Sequence, residues 1–225
     1  MTLLAHAIAA SPPATLAHEG LRGRPLAWSE SGGLGLWSTE WAPDIKLERP
    51  DALEHHRLVE RICAAQPCLP VRFGTAFATS DDARASLDKR AAALRLALAR
   101  VAGKSELALT FLWREPFAPP QIESAAGPGR RYMEARRAEF AARESRRARA
   151  ESMVERVIAE LAIDRQLAWH ETCTSENVAV SLALLVPTER AGEQKAQLER
   201  VAAGFPDVIP VLNGPWPPYT FARTE

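Results

Sequence analysis

Leu107-Ala108-Leu109-Thr110-Phe111-Leu112-Trp113 and Val178-Ala179-Val180-Ser181-Leu182-Ala183-Leu184-Leu185-Val186 decide the fold. Each alternates large apolar residues along one face and keeps the other face largely apolar. That pattern predicts two strands buried on both faces, at the centre of a sheet. Between them lies a loop rich in Pro and Gly (Pro116, Pro119, Pro120, Gly127, Pro128, Gly129), then a long helix from about Arg130 to Ile163. A more polar strand, Gln166 to Cys173, reads as an edge. After the second central strand, Thr188 is expected to cap a helix running to about Ala203, and Asp207 to Leu212 forms a short last strand. The order strand-helix-strand-strand-helix-strand is the split βαβ, or ferredoxin-like, arrangement. The long helix carries a core stripe, Val154, Val157, Ile158 and Leu161, in its second half only. Its first half holds Arg130, Arg131, Arg136, Arg137, Arg143, Arg146, Arg147 and Arg149 against Glu134, Glu139 and Glu144, and is expected to overhang the sheet or to break.

Upstream, Leu3 to Ala10 predicts a strand, and the runs Pro25–Glu30 and Leu34–Thr39 around Ser31-Gly32-Gly33 predict a hairpin. Pro50-Asp51 opens a helix with Leu53, Val59, Ile62 and Cys63 inward, stopped at Gln66-Pro67. Leu69 to Gly74 reads as a short strand. Thr79 and Asp82 then cap a helix whose Leu87, Ala91, Leu94, Leu98 and Val101 recur at helical spacing up to Gly103. No internal repeat is visible. The expected class is α+β with an N-terminal domain over 1–103, a ferredoxin-like domain over 104–212, and an extended tail over 213–225.

Composition narrows the function. The chain has 225 residues with 28 Lys+Arg against 28 Asp+Glu, so no overall charge draws it to nucleic acid or an anionic membrane. The longest largely apolar run, Val178 to Val186, is less than half a membrane span. The N-terminus lacks the basic start of a signal peptide. Cys63, Cys68 and Cys173, an odd and sparse set, read as reduced thiols in a cytoplasmic protein.

Chemistry is not advertised. Glu54-His55-His56 with Glu60 is the densest group of possible metal ligands, but no third ligand stands at a recognisable spacing, and a solvated helix face is expected. His6, His18 and His170 are isolated. Arg72-Phe73-Gly74-Thr75 could cradle a phosphate with the Thr75 hydroxyl and backbone N–H groups, yet no Gly-rich phosphate motif accompanies it. The Arg-rich helix is interleaved with Glu and offers only Tyr132 and Phe140 for base stacking, which favours a protein-facing or solvated surface over RNA. No catalytic, cofactor or metal set is expected, and bound metal is expected to be dispensable.

Asn213-Gly214-Pro215-Trp216-Pro217-Pro218-Tyr219-Thr220-Phe221 is the most unusual stretch. Its prolines hold an extended chain, and its aromatic residues must lie against something; Trp216 and Tyr219 are expected to pack on the body of the protein. Together with Leu69-Pro70-Val71-Arg72-Phe73-Gly74-Thr75, preceded by His55-His56-Arg57, this segment resembles the motifs of the gas vesicle protein F/L family (GvpF/GvpL), with Thr220 where that family usually has Ser. Gly127-Pro128-Gly129-Arg130-Arg131-Tyr132-Met133 resembles the segment that opens the family's long helix, although Arg130 and Arg131 depart from it. The resemblance implies a two-domain α+β protein with a ferredoxin-like C-terminal domain. It also implies a non-enzymatic accessory or minor structural role in the gas vesicle, in the cytoplasm. The implied partners are the small hydrophobic shell protein and other accessory proteins, with no nucleic acid and no membrane. Arg136, Arg143 and Arg147, on roughly one helix face, are the candidate contact residues. The alternative reading is a small α/β domain that binds a phosphate ligand, or acts on one, through Arg72, Gly74 and Thr75.

Overall fold

The computed structural model describes residues 2–12, 19–42, 46–119 and 127–223. Expectations placed on Pro13, His18 and Pro120 fall outside these residues. The described chain is a mixed α/β fold with two sheets and four α-helices. It divides into two compact units, residues 1–106 with 216–225, and residues 107–215.

In the first unit, β1 (Thr2–Ala9) pairs antiparallel with β3 (Leu34–Trp41) on one side, and with β4 (Cys68–Pro70) and β5 (Ala76–Phe77) on the other. β2 (Leu26–Ser31) pairs with β3 as the other edge. The β2–β3 turn places Gly32 and Gly33 at φ +58° and +71°, which an L side chain rarely adopts. Along β3, Gly35 has a different task. A Cβ there would lie 2.0 Å from the Trp28 ring, which crosses it and meets the Trp37 ring at a tilt of 54° with 4.9 Å between centroids. Gly35→Ala is therefore expected to lower stability by about 1–3 kcal/mol, the usual penalty of overpacking. An unchanged urea midpoint would show that the indole yields freely.

Two helices flank this sheet. In α1 (Arg49–Ala65) the buried face is Asp51, His55, Leu58, Val59 and Ile62. Leu53 was expected inward and is 60% exposed. Its i+2 neighbour His55 takes the inner position, because hydrogen-bond partners await it there. α2 (Ser80–Val101) starts on Thr79, whose hydroxyl oxygen accepts from Asp82 N–H at 3.1 Å, and buries Ala83, Leu87, Leu94, Ala97, Leu98 and Val101. Gly103 follows it at φ +68°. The expectation of reduced thiols fails for one pair. Cys63 and Cys68 form a disulfide, since the reversal at Gln66-Pro67 brings the end of α1 back beside β4 with the two Cα atoms 5.4 Å apart. Cys173 is free.

In the second unit the strand order is β7-β8-β6-β9, with β6 (Lys104–Trp113) and β8 (Val178–Pro187) central. β7 (Ala168–Thr172) lies at one edge, antiparallel to β8, and β9 (Val208–Trp216) at the other. α3 (Pro128–Leu161) and α4 (Ala191–Ala203) supply Met153, Val154, Val157 and Leu198 to a core shared with Leu109, Phe111, Leu182 and Leu184. Thr188 does not cap α4; it sits in a 3₁₀ turn, Thr188–Arg190, and the helix starts after Arg190 without a side-chain cap. Nor does α3 break. It is one helix of 34 residues, about 51 Å long. β9 is also longer than expected and runs through Gly214 and Pro215 to Trp216.

Candidate functional site

The Leu69–Thr75 segment is a strand only as far as Pro70, after which it turns. Arg72 carbonyl accepts from Thr75 N–H at 3.1 Å, and Gly74 at φ +86° occupies the position of that turn that favours glycine. The turn is laced to β1: Val71 N–H donates to His6 carbonyl at 2.8 Å, and Ala5 N–H donates to Thr75 carbonyl at 2.9 Å. Of the backbone N–H groups that this segment could offer a phosphate, those of Val71 and Thr75 are thus already used.

Behind the turn lies a hydrogen-bonded chain that sequence reading missed. His6 Nδ1 is 3.0 Å from His55 Nδ1, His6 Nε2 is 2.8 Å from Thr39 Oγ1, and His55 Nε2 is 3.1 Å from the Val71 carbonyl. Both rings are buried, and burial holds both below the ordinary histidine pKa; His6 is lowered to about 3. Two neutral imidazoles admit one proton arrangement here. A carbonyl only accepts, so His55 donates from Nε2 and accepts at Nδ1. His6 must then donate from Nδ1 and accept at Nε2, which makes the Thr39 hydroxyl the donor. That hydroxyl oxygen accepts in turn from Leu21 N–H at 3.2 Å. The chain ties β3, β1 and α1 to the turn, with every donor pointing the same way.

The C-terminal segment folds onto the same unit. Pro217 and Pro218 are buried, Tyr219 is half-buried and Phe221 is 4% exposed. Thr220 donates twice to the buried Glu106 carboxylate, from N–H to Oε2 and from its hydroxyl to Oε1, both at 2.8 Å. Burial nonetheless raises the Glu106 pKa. Arg100 donates to the Phe221 carbonyl and lies over its ring at 5.9 Å. Trp216 departs from expectation: it stays 38% exposed and offers His56 only an edge contact at 6.0 Å. His56 stacks on Tyr219 at 6.0 Å and pairs with Glu60 at 3.4 Å. His55 and His56 therefore serve different partners, and among the described residues no group of three or more His, Cys, Asp or Glu is placed to hold a metal ion.

The two sequence motifs meet at a cleft of about 750 Å³. Leu69, Pro70, Arg72 and Thr75 line it from the first motif, and Tyr219 and Thr220 from the second. Phe73 instead packs edge-on against His55, with 5.4 Å between centroids. Gly214, Pro215, Trp216, Pro217, Pro218 and Phe221 are outside the cleft wall.

A separate feature belongs to the second unit. From Arg130 to Arg149, α3 buries no side chain, and Tyr132, Met133 and Phe140 are 64%, 53% and 71% exposed. The helix persists there on good helix formers and near-neighbour ion pairs, Arg130–Glu134 at 3.0 Å and Arg143–Glu139 at 3.2 Å. Arg143 and Arg146 lie over the Phe117 and Trp113 rings at 4.5 and 4.7 Å, bordering a groove of about 410 Å³ that also takes in Phe140 and Arg147. Arg136 is on the neighbouring surface with Met133, so the three candidate contact arginines face one stretch of helix but do not share one groove.

The family model for gas vesicle synthesis proteins GvpL/GvpF matches residues 3–223. The chain belongs to that family. Its fold is also that of solved relatives. GvpF from Anabaena sp. PCC7120 superposes with a TM-score of 0.75 at 19% identity, covering 100% of this chain and 97% of that one. GvpF from Microcystis aeruginosa gives a TM-score of 0.78 at 17% identity over 99% of both chains. No curated protein matches the sequence. No helix among the described residues of this GvpL/GvpF member is long and apolar enough to cross a membrane.

Proposed function

We propose that this GvpL/GvpF protein is a non-enzymatic accessory factor that holds the small hydrophobic shell protein during gas vesicle assembly, in the cytoplasm and on the growing vesicle. The observation that carries the reading is the first half of α3. Eight arginines and three exposed apolar side chains stand there on a helix that its own sheet does not cover. A wall that excludes water must be apolar on its gas side, so an unassembled wall subunit is an aggregation hazard until something covers it. A guanidinium suits that task, since its stem covers apolar area while its fork pairs with carboxylates. The strand order of the second unit supports a ferredoxin-like platform behind this helix. We read the tail over 213–225 as a strap that serves the N-terminal domain over 1–103, leaving the platform over 104–212 to the partner.

Reversing Arg136, Arg143 and Arg147 to Glu is expected to weaken retention of the shell protein in a pull-down from cells that make both proteins. Stability should shift by about half a kcal/mol per site, since all three are exposed. Failure of the native protein to retain the shell protein would overturn the functional reading. Full retention by the triple variant would keep the partner and move the contact to the apolar sheet faces.

A further inference from the structure

The Cys63–Cys68 bond stands at odds with its compartment. The function proposed above puts the chain in the cytoplasm, where thiols are kept reduced and a disulfide is as a rule transient or redox-sensing. The two sulfurs are not equally placed. Cys63, on the last turn of α1, is half-buried, and Ala64, Ala65 and Pro67 beside it are exposed. Cys68, at the start of β4, is 2% exposed and packs among Ala7, Ala9, Trp37, Leu58 and Ile62. The partners are only five residues apart, so the bond constrains the unfolded chain less than a long-range one would. The same reversal is held by a backbone hydrogen bond from Gln66 N–H to the Ile62 carbonyl at 3.1 Å. Its closure carries a cost, because Gln66 Nε2 is buried there with no hydrogen-bond partner among the described residues.

We propose that Cys63 and Cys68 form a reversible redox switch, in which a dithiol reductant opens the α1–β4 reversal and a small-molecule disulfide closes it again. A thiolate of the reductant attacks Cys63 Sγ, the half-buried sulfur. The bond to Cys68 breaks, and its electron pair leaves on Cys68 Sγ, which takes up a proton. The second thiol of the reductant then displaces Cys63, which is protonated in turn. The dithiol ends as a disulfide and the protein as two thiols. Both thiols keep a place in the fold. Cys68 stays in the ladder opposite Ala9, where a neutral thiol packs as a small apolar side chain. Val59 and Ile62, both 0% exposed, keep the last turns of α1 on the core. The thiols therefore remain opposed and ready to reoxidise, while Gln66 is free to turn its amide to water. The choice of compartment rests on the function proposed above; the switch itself uses neither α3 nor the shell protein.

Counting thiols by alkylation and mass in the full chain tests it. Unfolded in the alkylating agent without reductant, the chain should be labelled at Cys173 alone. After millimolar dithiothreitol at neutral pH, with no denaturant, Cys63, Cys68 and Cys173 should all be labelled while the circular dichroism spectrum is unchanged. Oxidised glutathione should restore the bond. Amide hydrogen exchange at Ala64, Ala65 and Gln66 should quicken at least about tenfold on reduction, while the strands of the second unit keep their protection. Cys63→Ala should show the quickened exchange with or without reductant. A bond that millimolar dithiothreitol leaves intact in the folded chain would overturn the proposal, and so would unfolding on reduction, since either makes the bond a structural staple. Reduction without faster exchange at the reversal would overturn it too, as would a Cys63→Ala chain that exchanges like the oxidised protein. Shell-protein retention is measured separately, so failure of that reading and failure of this one are told apart.

Discussion

Lowering the pH from 7 to 3 is expected to remove of the order of 4 kcal/mol of stability through His6 alone. In the folded state its pKa is lowered to about 3 from 6.5, the first cause being burial and the second the neighbouring His55. Between those values the unfolded chain takes up a proton that the folded chain refuses. Stability therefore is fully present above about pH 6.5 and falls as acid is added, by about 1.4 kcal/mol per pH unit. His55, also lowered by burial, acts in the same direction. So does Asp51 at lower pH, since the Arg22 guanidinium, at 2.7 Å, holds its carboxyl below the usual range. Glu106 opposes them, because burial raises its pKa and acid relieves the buried charge. Denaturant titrations of the native protein and of His6→Asn at pH 7, 6, 5 and 4 separate these contributions. The amide of Asn can still donate to His55, but the Thr39 hydroxyl loses its acceptor, so the variant should start about 1–3 kcal/mol lower. It should then lose less with acid. Parallel slopes for the two proteins would show that His6 does not set the acid sensitivity.

That chain of hydrogen bonds shows where sequence reading stops. His6 and His55 are 49 residues apart, and His6 and Thr39 are 33 apart, so nothing local marks them as partners. An isolated His in an apolar strand looks the same whether or not a second ring awaits it. What could be read was whatever repeats along the chain. The spacing of Leu87, Leu94, Leu98 and Val101 specified α2 and its inner face, and the doubly apolar patterns of β6 and β8 specified the two central strands. In α1 the apolar spacing takes in Leu53, but His55, a polar residue that such spacing places outward, holds the buried position. The Cys63–Cys68 bond was missed for a different reason: an odd number of cysteines argued for free thiols, while the geometry of one reversal at Gln66-Pro67 decided the pairing. At α3 the missing apolar stripe left continuity open. The Arg, Ala and Glu that fill its first half are good helix formers, and their ion pairs keep an exposed helix intact where packing does not. Of the cleft, the sequence showed both lining motifs but not that they meet, since Thr75 and Tyr219 come together only through folding.

Phe221→Ala is expected to destabilise the protein by about 3–5 kcal/mol, and Trp216→Ala by about 1 kcal/mol or less, although Trp is the larger residue. Burial decides the ranking. Phe221 is 4% exposed, so its loss leaves a cavity under the tail, whereas Trp216 is 38% exposed and its ring meets His56 only at an edge. Polar groups deepen the contrast. The backbone N–H and the hydroxyl of Thr220 both donate to Glu106, and a tail that loses its Phe221 anchor no longer holds them in place. A buried carboxylate stripped of its donors takes up a proton instead of staying charged, so the Phe221→Ala deficit should shrink as the pH is lowered. Ending the chain at Asn213 removes the anchor and both donors together, and its cost should exceed that of Phe221→Ala. Urea midpoints for Phe221→Ala, Trp216→Ala and the truncated chain at pH 7 test the order. A Trp216→Ala loss equal to that of Phe221→Ala would mean that the indole, and not the phenyl ring, fastens the tail. A truncated chain as stable as the native one would mean that the segment contributes nothing to the fold and is kept for a partner.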